Sequence, residues 1–377
     1  MKIVVIELAG QGGMAHYAFQ LCRGLSNAGA DVTLITRNDY ELAMLCAPFR
    51  VEQSIRSMHP RRGAFSRIGY RLRYFREWRR ILHRIKALRP DVVLLGQLRS
   101  AADYWPLIQL RRHTRVLASI CHHPGAKDGF LWKRIYALFA RVFVHFPRNR
   151  TTFHKTFGVP EKKVGVIVHG NEEIFSELAD PTFSADTLRK QLGIGADEKI
   201  VLFFGNFAQY KGIDVLLRAF PDIHARTGAR LVIAGHPTTG FDLEHHLALS
   251  ESLGIPGAVV WVPEYIPSEH VVAWMQLPNV IVFPYREISH GGAVHVAQTY
   301  GVPTVASSVG AMQDVIDHDV TGLLVPPEDV EALSAAITRL LEDEPLAKRL
   351  GTQFGADARG RFSWDEIGKG ILRELGG

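Results

Sequence analysis

Glycine-rich stretches, a lysine and a histidine follow apolar runs at several points of this sequence. These residues are Gly12-Gly13, His122, Gly205-Asn206 with Lys211, and Gly291-Gly292-Ala293. Glycine lets backbone N–H groups come close to a ligand, and the first turn of a helix attracts negative charge. A lysine beside such a turn adds a full positive charge. The residue types therefore predict binding of a phosphate or diphosphate group.

Two segments of the chain repeat one order of elements. In each, an apolar run leads through a glycine-bearing loop into a helical pattern, which ends at Gly29 in the first segment and at Gly228 in the second before a new apolar run begins. Each segment reads as a βαβ unit with glycine at the helix C-terminus. The repeat predicts an α/β protein with two Rossmann-like domains that face each other across a binding cleft.

Short β-branched runs bounded by turn residues predict the remaining strands. They lie at residues 92–95, 116–120, 142–144 and 164–168 in the first half, and at 259–262, 280–283, 304–306 and 322–325 in the second. Between His169 and Asp197, Glu, Asp, Pro, Ser and Gly residues cluster, and we expect the domain boundary in this segment.

The composition indicates a well-packed protein of two domains, since 377 residues exceed one ordinary core and 47% of them are hydrophobic. The first residues lack a secretory signal, and we expect a cytoplasmic protein without a spanning helix. Three cysteines have no metal-type spacing, so we expect neither a disulfide framework nor a metal site. We expect no cofactor.

The glycine-bearing series resembles the retaining glycosyltransferases of family four, which have the GT-B fold. The resemblance runs from Gly12-Gly13 to Phe362-Ser363-Trp364-Asp365 and includes Phe204-Gly205-Asn206-Phe207, Lys211-Gly212, Leu231-Val232-Ile233-Ala234-Gly235, Pro284-Tyr285, Gly291-Gly292-Ala293, Gly301-Val302-Pro303 and Thr321-Gly322-Leu323-Leu324-Val325-Pro326-Pro327. It implies an N-terminal acceptor domain at residues 1–170, a donor domain at 171–359, and a C-terminal helix at 360–377 that crosses back to the first domain.

The same resemblance assigns expected roles in donor binding. Lys211 matches the lysine that contacts the donor diphosphate, and Asn206 stands where the family usually has an arginine. Gly12 and Gly13 are expected to approach the phosphates, as are Gly291, Gly292 and Ala293 through their N–H groups. Glu264 follows the strand near which the base is bound.

Two histidine positions are weighed for the donor sugar. His122 matches the family's histidine near the reacting carbon, although the adjacent His123 leaves the register open. His16, near the first glycine pair, is a weaker candidate.

The main departure from the family is the absence of its paired glutamates. Those positions hold Ile288 and Val296, neither of which can accept a hydrogen bond through its side chain. Glu287 is one residue early and could replace the first of them. The chain therefore resembles a branch of the family that lacks the usual pair.

A basic arm from Arg56 to Arg89 carries twelve Arg or Lys residues against one acidic residue, Glu77. Aromatic residues are interleaved with these charges, a pattern typical of a surface that meets anionic lipid headgroups. We expect Arg71, Arg73, Arg79 and Arg80 to serve a lipid-linked acceptor or the inner membrane face. A solvated helix face is the alternative. Nucleic acid is disfavoured because no nucleic-acid-binding motif accompanies the charge.

Two functions of different class follow. The first is a hexosyltransferase that moves a sugar from a UDP- or GDP-sugar to a glycan or lipid-linked acceptor, in bacterial surface polysaccharide or glycoconjugate synthesis. The second is a catalytically silent subunit that binds sugar nucleotide or glycan. A sugar-nucleotide epimerase also stays open, whereas an NAD-dependent dehydrogenase is disfavoured because neither loop has the Gly-x-Gly-x-x-Gly spacing.

Overall fold

The computed structural model describes residues 1–56, 66–122, 129–288 and 291–376, without the side chains of 66–68, 70 and 71. In these residues the apolar runs form two parallel sheets. The first contains β1 (Lys2–Ile6), β2 (Asp31–Arg37), β3 (Arg50–Ile55), β4 (Val92–Leu95), β5 (Val116–Ile120), β6 (Arg141–Val144) and β7 (Val164–Val166). The second contains β8 (Ile200–Phe204), β9 (Arg230–Ala234), β10 (Val259–Val262), β11 (Val280–Phe283), β12 (Thr304–Ser307) and β13 (Leu323–Val325).

Helices follow most of the strands along the chain. They are α1 (Gly13–Asn27), α2 (Ser66–Leu88), α3 (Tyr104–Arg111), α4 (Phe130–Ala137), α5 (Pro147–Phe157), α6 (Ile174–Leu178), α7 (Ala185–Gln191), α8 (Ile213–Thr227), α9 (Leu243–Ser252), α10 (Val271–Gln276), α11 (Gly292–Thr299), α12 (Met312–Val315), α13 (Val330–Glu342), α14 (Glu344–Arg359) and α15 (Trp364–Gly376). Among the described residues, no helix has both the length and the apolar character needed to cross a membrane.

The chain divides into two compact units, each built around one sheet. The first unit comprises Met1–Gly170 with Phe362–Gly377, and the second comprises Asn171–Arg361. The strand order is β3-β2-β1-β4-β5-β6-β7 in the first sheet and β10-β9-β8-β11-β12-β13 in the second. The predicted α/β class with two Rossmann-like sheets is confirmed. Because all described strand pairs are parallel, the loops that follow the strands of one sheet share one edge.

Strand β3 was not predicted from the sequence. It pairs with β2 alone among the described strands, at the edge of the first sheet, and only Ile55 among its residues is fully buried. An edge strand with one mostly solvated face does not need a continuous apolar run, so its sequence Arg-Val-Glu-Gln-Ser-Ile lacks the signal that identified the central strands.

Helix α2 joins the first core through one apolar stripe. Tyr74, Trp78, Ile81, Leu82 and Ile85 recur at helical spacing and are all buried in that core. The arginines between them must therefore lie toward the outer side of the helix. The apolar residues of α2 thus determine which side of the helix carries the arginines of the basic arm.

The last helix returns to the first unit and packs on α1 with little separation. A Cβ at Gly368 would lie 2.2 Å from Gly24 O, so the two backbones approach closely at this point. The ring of Trp364 meets Tyr17 edge-on, with centroids 5.1 Å apart. This packing completes the unit that also contains the first glycine loop.

We expect Gly368→Ala to destabilise the first unit by about 1–3 kcal/mol, because the new methyl group overlaps a backbone carbonyl that cannot move aside cheaply. Gly370→Ala, in the same helix with open space around it, is the matched control and should stabilise by up to about 1 kcal/mol through helix propensity. Urea unfolding of both variants measures the difference. Equal stability of the two would contradict the close packing.

Candidate functional site

Lys211 is a buried cation at the carboxyl edge of the second sheet. It ends the short turn Gln209–Lys211 between β8 and α8 and is 8% exposed. Its Nζ lies 5.4 Å from the centroid of the Tyr285 ring, and no carboxylate of the described residues pairs with it. Burial lowers the pKa of Lys211 to about 8. A buried ammonium without a counter-charge is costly, so this position favours an anionic ligand.

Main-chain contacts hold the loops around Lys211. A Cβ at Gly212 would lie 2.0 Å from Pro284 O, and one at Gly235 would lie 2.1 Å from Gly205 O. Both glycines also have positive φ, 66° and 146°. No side chain fits at either position, so glycine is required there. The loops after β8, β9 and β11 thereby contact one another directly and fix the place of Lys211.

The N-terminus of α11 opens beside the same loop. The helix begins at Gly292, and no side chain caps it at Gly291. A Cβ built on Gly205 would lie 3.1 Å from Lys211 Nζ and 3.8 Å from Ala293 Cβ. Lys211 and the first turn of α11 therefore border one small space at Gly205. A full positive charge and the positive end of a helix dipole converge there.

Three other predicted donor residues are exposed at this edge. Asn206 follows Gly205, Glu264 follows β10, and Glu287 lies in the loop after β11. No side-chain hydrogen bond is found for these three within the described part of the chain. Their polar groups are therefore free to meet a ligand from the same edge as Lys211.

Sequence reasoning did not identify the role of Arg286. Its guanidinium donates to both carboxylate oxygens of Asp214, at 2.9 and 2.8 Å, and to Glu328 at 2.9 Å. These bonds raise the pKa of Arg286 and tie the loop after β11 to α8. Arg286 is thus engaged inside the unit, whereas Lys211 has no carboxylate partner among the described residues.

Ile288 and Val296, where the sequence predicts that the family's glutamates are absent, make main-chain and apolar contacts. Val296 is buried on α11, and the carbonyl oxygen of Ile288 accepts a bond from Ala311 N. Neither side chain can accept a hydrogen bond, and Glu287 is the nearest acidic residue in sequence.

In the first unit, carboxylates already occupy the glycine loop after β1. The N–H of Gly12 donates to Glu41 Oε1 at 2.6 Å, and the same oxygen lies 2.8 Å from His16 Nε2. Gly13 begins α1 and is exposed. The structure therefore gives His16 a partner in Glu41, a residue that sequence reasoning missed, and it leaves Gly13 as the more open half of the predicted pair.

His122 follows β5 and is held by both ring nitrogens. Nε2 lies 3.1 Å from Gly96 O, and Nδ1 lies 2.8 Å from Nε2 of His145. His122 is 6% exposed and His145 is fully buried. The competing candidate His123 lies outside the described residues. The ring of His122 is therefore fixed in orientation, and His145, which the sequence did not single out, is its partner.

The basic arm forms a groove between β3 and α2. Its volume is about 840 Å³, and its lining includes Ser54, Leu72, Arg73, Phe75, Arg76, Arg79, Arg80, His83 and Arg84. Arg80 is paired with the buried Glu77 at 2.9 Å, whereas Arg73 and Arg79 have no ion pair within the described residues. The side chain of Arg71 lies outside the described residues. Beside the groove, Phe75 stacks on Trp105 at 4.5 Å.

Comparison with known proteins adds two family matches. The family described as "Glycosyltransferase Family 4" matches residues 11–171, and "Glycosyl transferases group 1" matches residues 184–354. The chain is 30% identical over 214 residues to an uncharacterized glycosyltransferase of Methanocaldococcus jannaschii, covering 56% of this chain and 54% of that protein. It is 29% identical over 228 residues to the D-inositol 3-phosphate glycosyltransferase of Corynebacterium diphtheriae, covering 59% and 52%. The chain spans about half the length of these relatives.

Solved structures match over the full length. Sucrose-phosphate synthase from Thermosynechococcus elongatus has a TM-score of 0.74 at 22% identity, covering 99% of this chain and 98% of that one. Anabaena HepE in complex with UDP and glucose has a TM-score of 0.76 at 18% identity, covering 100% and 99%. Two Rossmann-like units with this strand order are the GT-B fold of glycosyltransferases. Since the two family matches together span most of the sequence, the chain belongs to the family-four-like glycosyltransferases.

In the described residues no group of three or more His, Cys, Asp or Glu side chains is placed to hold a metal ion.

The lowered pKa of Lys211 yields a prediction for the ligand-free protein. Its folded value of about 8 lies below the ordinary 10.5, so the destabilising effect of the charge is full below pH 8 and disappears as the pH rises to 10.5. We expect Lys211→Met to raise the free energy of unfolding by roughly 3 kcal/mol at about pH 7 and by much less at about pH 10. Denaturant unfolding at both pH values measures this.

The exposed Lys190→Met is the control and should change stability little at either pH. A Lys211→Met effect that is destabilising and independent of pH would show that the lysine is not an uncompensated charge.

Proposed function

We propose that this glycosyltransferase moves a hexose from a UDP- or GDP-sugar to a glycan or lipid-linked saccharide with retention at the anomeric carbon. The reaction would serve bacterial surface polysaccharide or glycoconjugate synthesis at the inner face of the membrane. The observation that carries the proposal is the convergence of Lys211 Nζ and the first turn of α11 at Gly205. Such a place suits the diphosphate of a sugar nucleotide.

The proposed chemistry depends on charge that develops on the leaving group. As the bond from the anomeric carbon to the phosphate oxygen breaks, negative charge grows on the diphosphate, and groups that meet it there lower the barrier. Lys211 supplies a full charge, Gly291 to Ala293 supply N–H groups, and Asn206 supplies a neutral donor. The acceptor oxygen then bonds the anomeric carbon on the same face, and its proton passes to the departing phosphate oxygen.

Lys211 and the first turn of α11 thus supply the positive charge in this proposal. Because no metal ion is needed for that charge, activity should persist in EDTA. Glu287 is proposed to meet the donor sugar, because its carboxylate is exposed in the loop after β11. Glu264 is proposed to lie near the base.

The related proteins suggest where a donor screen should begin. Anabaena HepE has been solved with UDP and with UDP-glucose, which supports UDP-sugars as the first choice. A relative named for D-inositol 3-phosphate supports testing phosphorylated acceptors as well. Thermal shift with each nucleotide sugar would identify the donor, because saturating ligand stabilises the folded state.

A silent sugar-nucleotide-binding subunit is the second candidate. It is favoured by Asn206 in place of a cation and by Ile288 and Val296 in place of carboxylates. Donor hydrolysis without acceptor distinguishes the two functions, since a silent subunit would bind the donor and leave it intact.

The groove of the basic arm is proposed to meet an anionic membrane surface that carries the acceptor. Leu72 is 69% exposed, Phe75 47% and Trp105 39%, beside Arg73 and Arg79. Exposed aromatic and aliphatic groups next to arginines suit an interface of headgroups and acyl chains.

Lys211→Ala should lower turnover by roughly 10²–10³-fold, because it removes a preorganised charge from the leaving group. Lys190→Ala, on the exposed face of α7, is the control. Initial rates at saturating donor provide the measurement. Turnover unchanged from that of the native protein would place the diphosphate elsewhere.

Replacing Arg71, Arg73, Arg79 and Arg80 by Gln should weaken pelleting with anionic vesicles, because each basic residue near such a surface contributes about 1 kcal/mol. A control of equal charge changes the exposed Arg218, Arg226, Lys348 and Arg349 of the second unit. Co-sedimentation across salt concentrations compares the two. If both variants pellet like the native protein, the arm is a solvated face.

A further inference from the structure

Histidines follow three neighbouring strands of the first sheet and meet at its carboxyl edge. His122 comes after β5, His145 after β6 and His169 after β7. Because these strands are adjacent in the sheet, residues far apart in sequence become neighbours. His122 and His145 are joined by the 2.8 Å contact between Nδ1 and Nε2.

The outer nitrogens of this pair each face a carbonyl oxygen. His122 Nε2 lies 3.1 Å from Gly96 O, and His145 Nδ1 lies 3.2 Å from Ile167 O. A carbonyl oxygen only accepts, so both outer nitrogens must carry a proton. The Nδ1 to Nε2 contact between the rings needs a third proton, since one nitrogen must donate to the other.

Two neutral imidazoles carry only two ring protons. If both rings were neutral with their outer nitrogens protonated, two bare nitrogens would face each other at 2.8 Å. If either ring were flipped by 180° about its Cβ–Cγ bond, carbons would replace nitrogens in two of the three contacts. The geometry is fully satisfied when the pair holds one extra proton and a net positive charge.

The groups around His122 and His145 are consistent with an extra proton on this pair. His169 does not compete for the proton, since burial lowers its pKa to about 4. The ring of Tyr17 lies edge-on to both members, with centroids 5.0 Å from His122 and 5.6 Å from His145. Among the described residues, the charged or titratable groups on the elements around the edge include His16 on α1, Glu7 after β1, Glu41 after β2, Arg99 after β4, Cys121 after β5 and Arg148 on α5.

Glu7 and Glu41, two carboxylates on these elements, have partners of their own. Glu7 accepts from the backbone N–H groups of Ala9 and Gly10 and from Thr36 Oγ1, and Glu41 is bonded to Gly12 N and His16. The carbonyl oxygens of Gly96 and Ile167 therefore face the outer N–H groups of the pair and stabilise its charge.

We propose that His122 and His145 share one extra proton as a cationic pair, in which His145 is a positioning residue that fixes the protonation state and orientation of His122. The proposal rests on the proposed function for its consequence in catalysis. His122 then acts as a fixed positive charge toward phosphate oxygens of the substrate. It is not a free general base, because both of its ring nitrogens are already engaged.

The proton count can be measured without any assay of activity. In the intact protein labelled with ¹⁵N-histidine, His145→Gln should remove two ring N–H signals at about pH 7.5: that of Nδ1 and that of the shared proton. The introduced amide can donate to His122 Nδ1, so His122 keeps its remaining N–H in place. His122→Gln should likewise remove two signals, and it provides the same test if His145→Gln does not fold.

His154→Gln is the matched control. His154 Nδ1 meets a single carbonyl, that of Val159 at 2.8 Å, which a neutral ring satisfies. This change should remove one signal. If His145→Gln and His122→Gln also remove one signal each, the pair is neutral and the inference is overturned, whatever the enzyme assays show.

The catalytic consequence is tested separately. In the native protein, kcat should fall at alkaline pH as the pair loses its proton. His145→Gln should lower kcat by roughly 10²-fold and flatten this dependence, because His122 is then held but uncharged. His154→Gln should preserve the native profile. If kcat of His145→Gln still falls at alkaline pH as in the native protein, the catalytic role is rejected. If neither the native protein nor any variant shows turnover, the proposed function is wrong, and the charge of the pair is decided by the N–H signals alone.

Discussion

Main-chain contact between loops is the constraint on which the candidate site depends. Parallel strands bring their following loops to one edge, but the edge alone does not set how closely they approach. At Gly212 and Gly235 the backbones touch, and no side chain can intervene. That contact encloses Lys211, and enclosure lowers its pKa. Gly212 and Gly235, which carry no side chain, therefore make possible the burial of the positive charge at the carboxyl edge of the second sheet.

The loop after the first strand meets groups of opposite charge in the two units. In the second unit the loop after the first strand ends in Lys211, without a carboxylate partner in the described residues. In the first unit the corresponding loop donates Gly12 N–H to Glu41 and Gly10 N–H to Glu7. A phosphate would have to displace Glu41 to reach the Gly12 N–H. In the proposed function, the open phosphate-binding loop is therefore the one in the second unit.

The sequence predicts what is local and leaves out what depends on neighbouring strands. Central strands, the glycine loops and Lys211 are apparent from apolar runs and short motifs. The His122–His145 pair joins residues 23 apart, and the Arg286–Asp214 pair joins residues 72 apart. Neither spacing has a signature in the sequence, because the two residues of each pair become neighbours only through the order of the strands in the sheet. Strand β3 escaped prediction for another reason, since an edge strand tolerates polar residues.

Lys211 shows how a buried cation can serve an anionic substrate. A surface cation would attract phosphate weakly, because water and salt screen it. A cation held in a buried site by neutral partners keeps its field but lowers the stability of the empty protein. Binding of an anion supplies the missing counter-charge. The burial of the cation that lowers the stability of the empty protein therefore strengthens the binding of the anion. For an enzyme whose leaving group gains negative charge, this strengthening is greatest in the transition state, where the charge on the phosphate is largest.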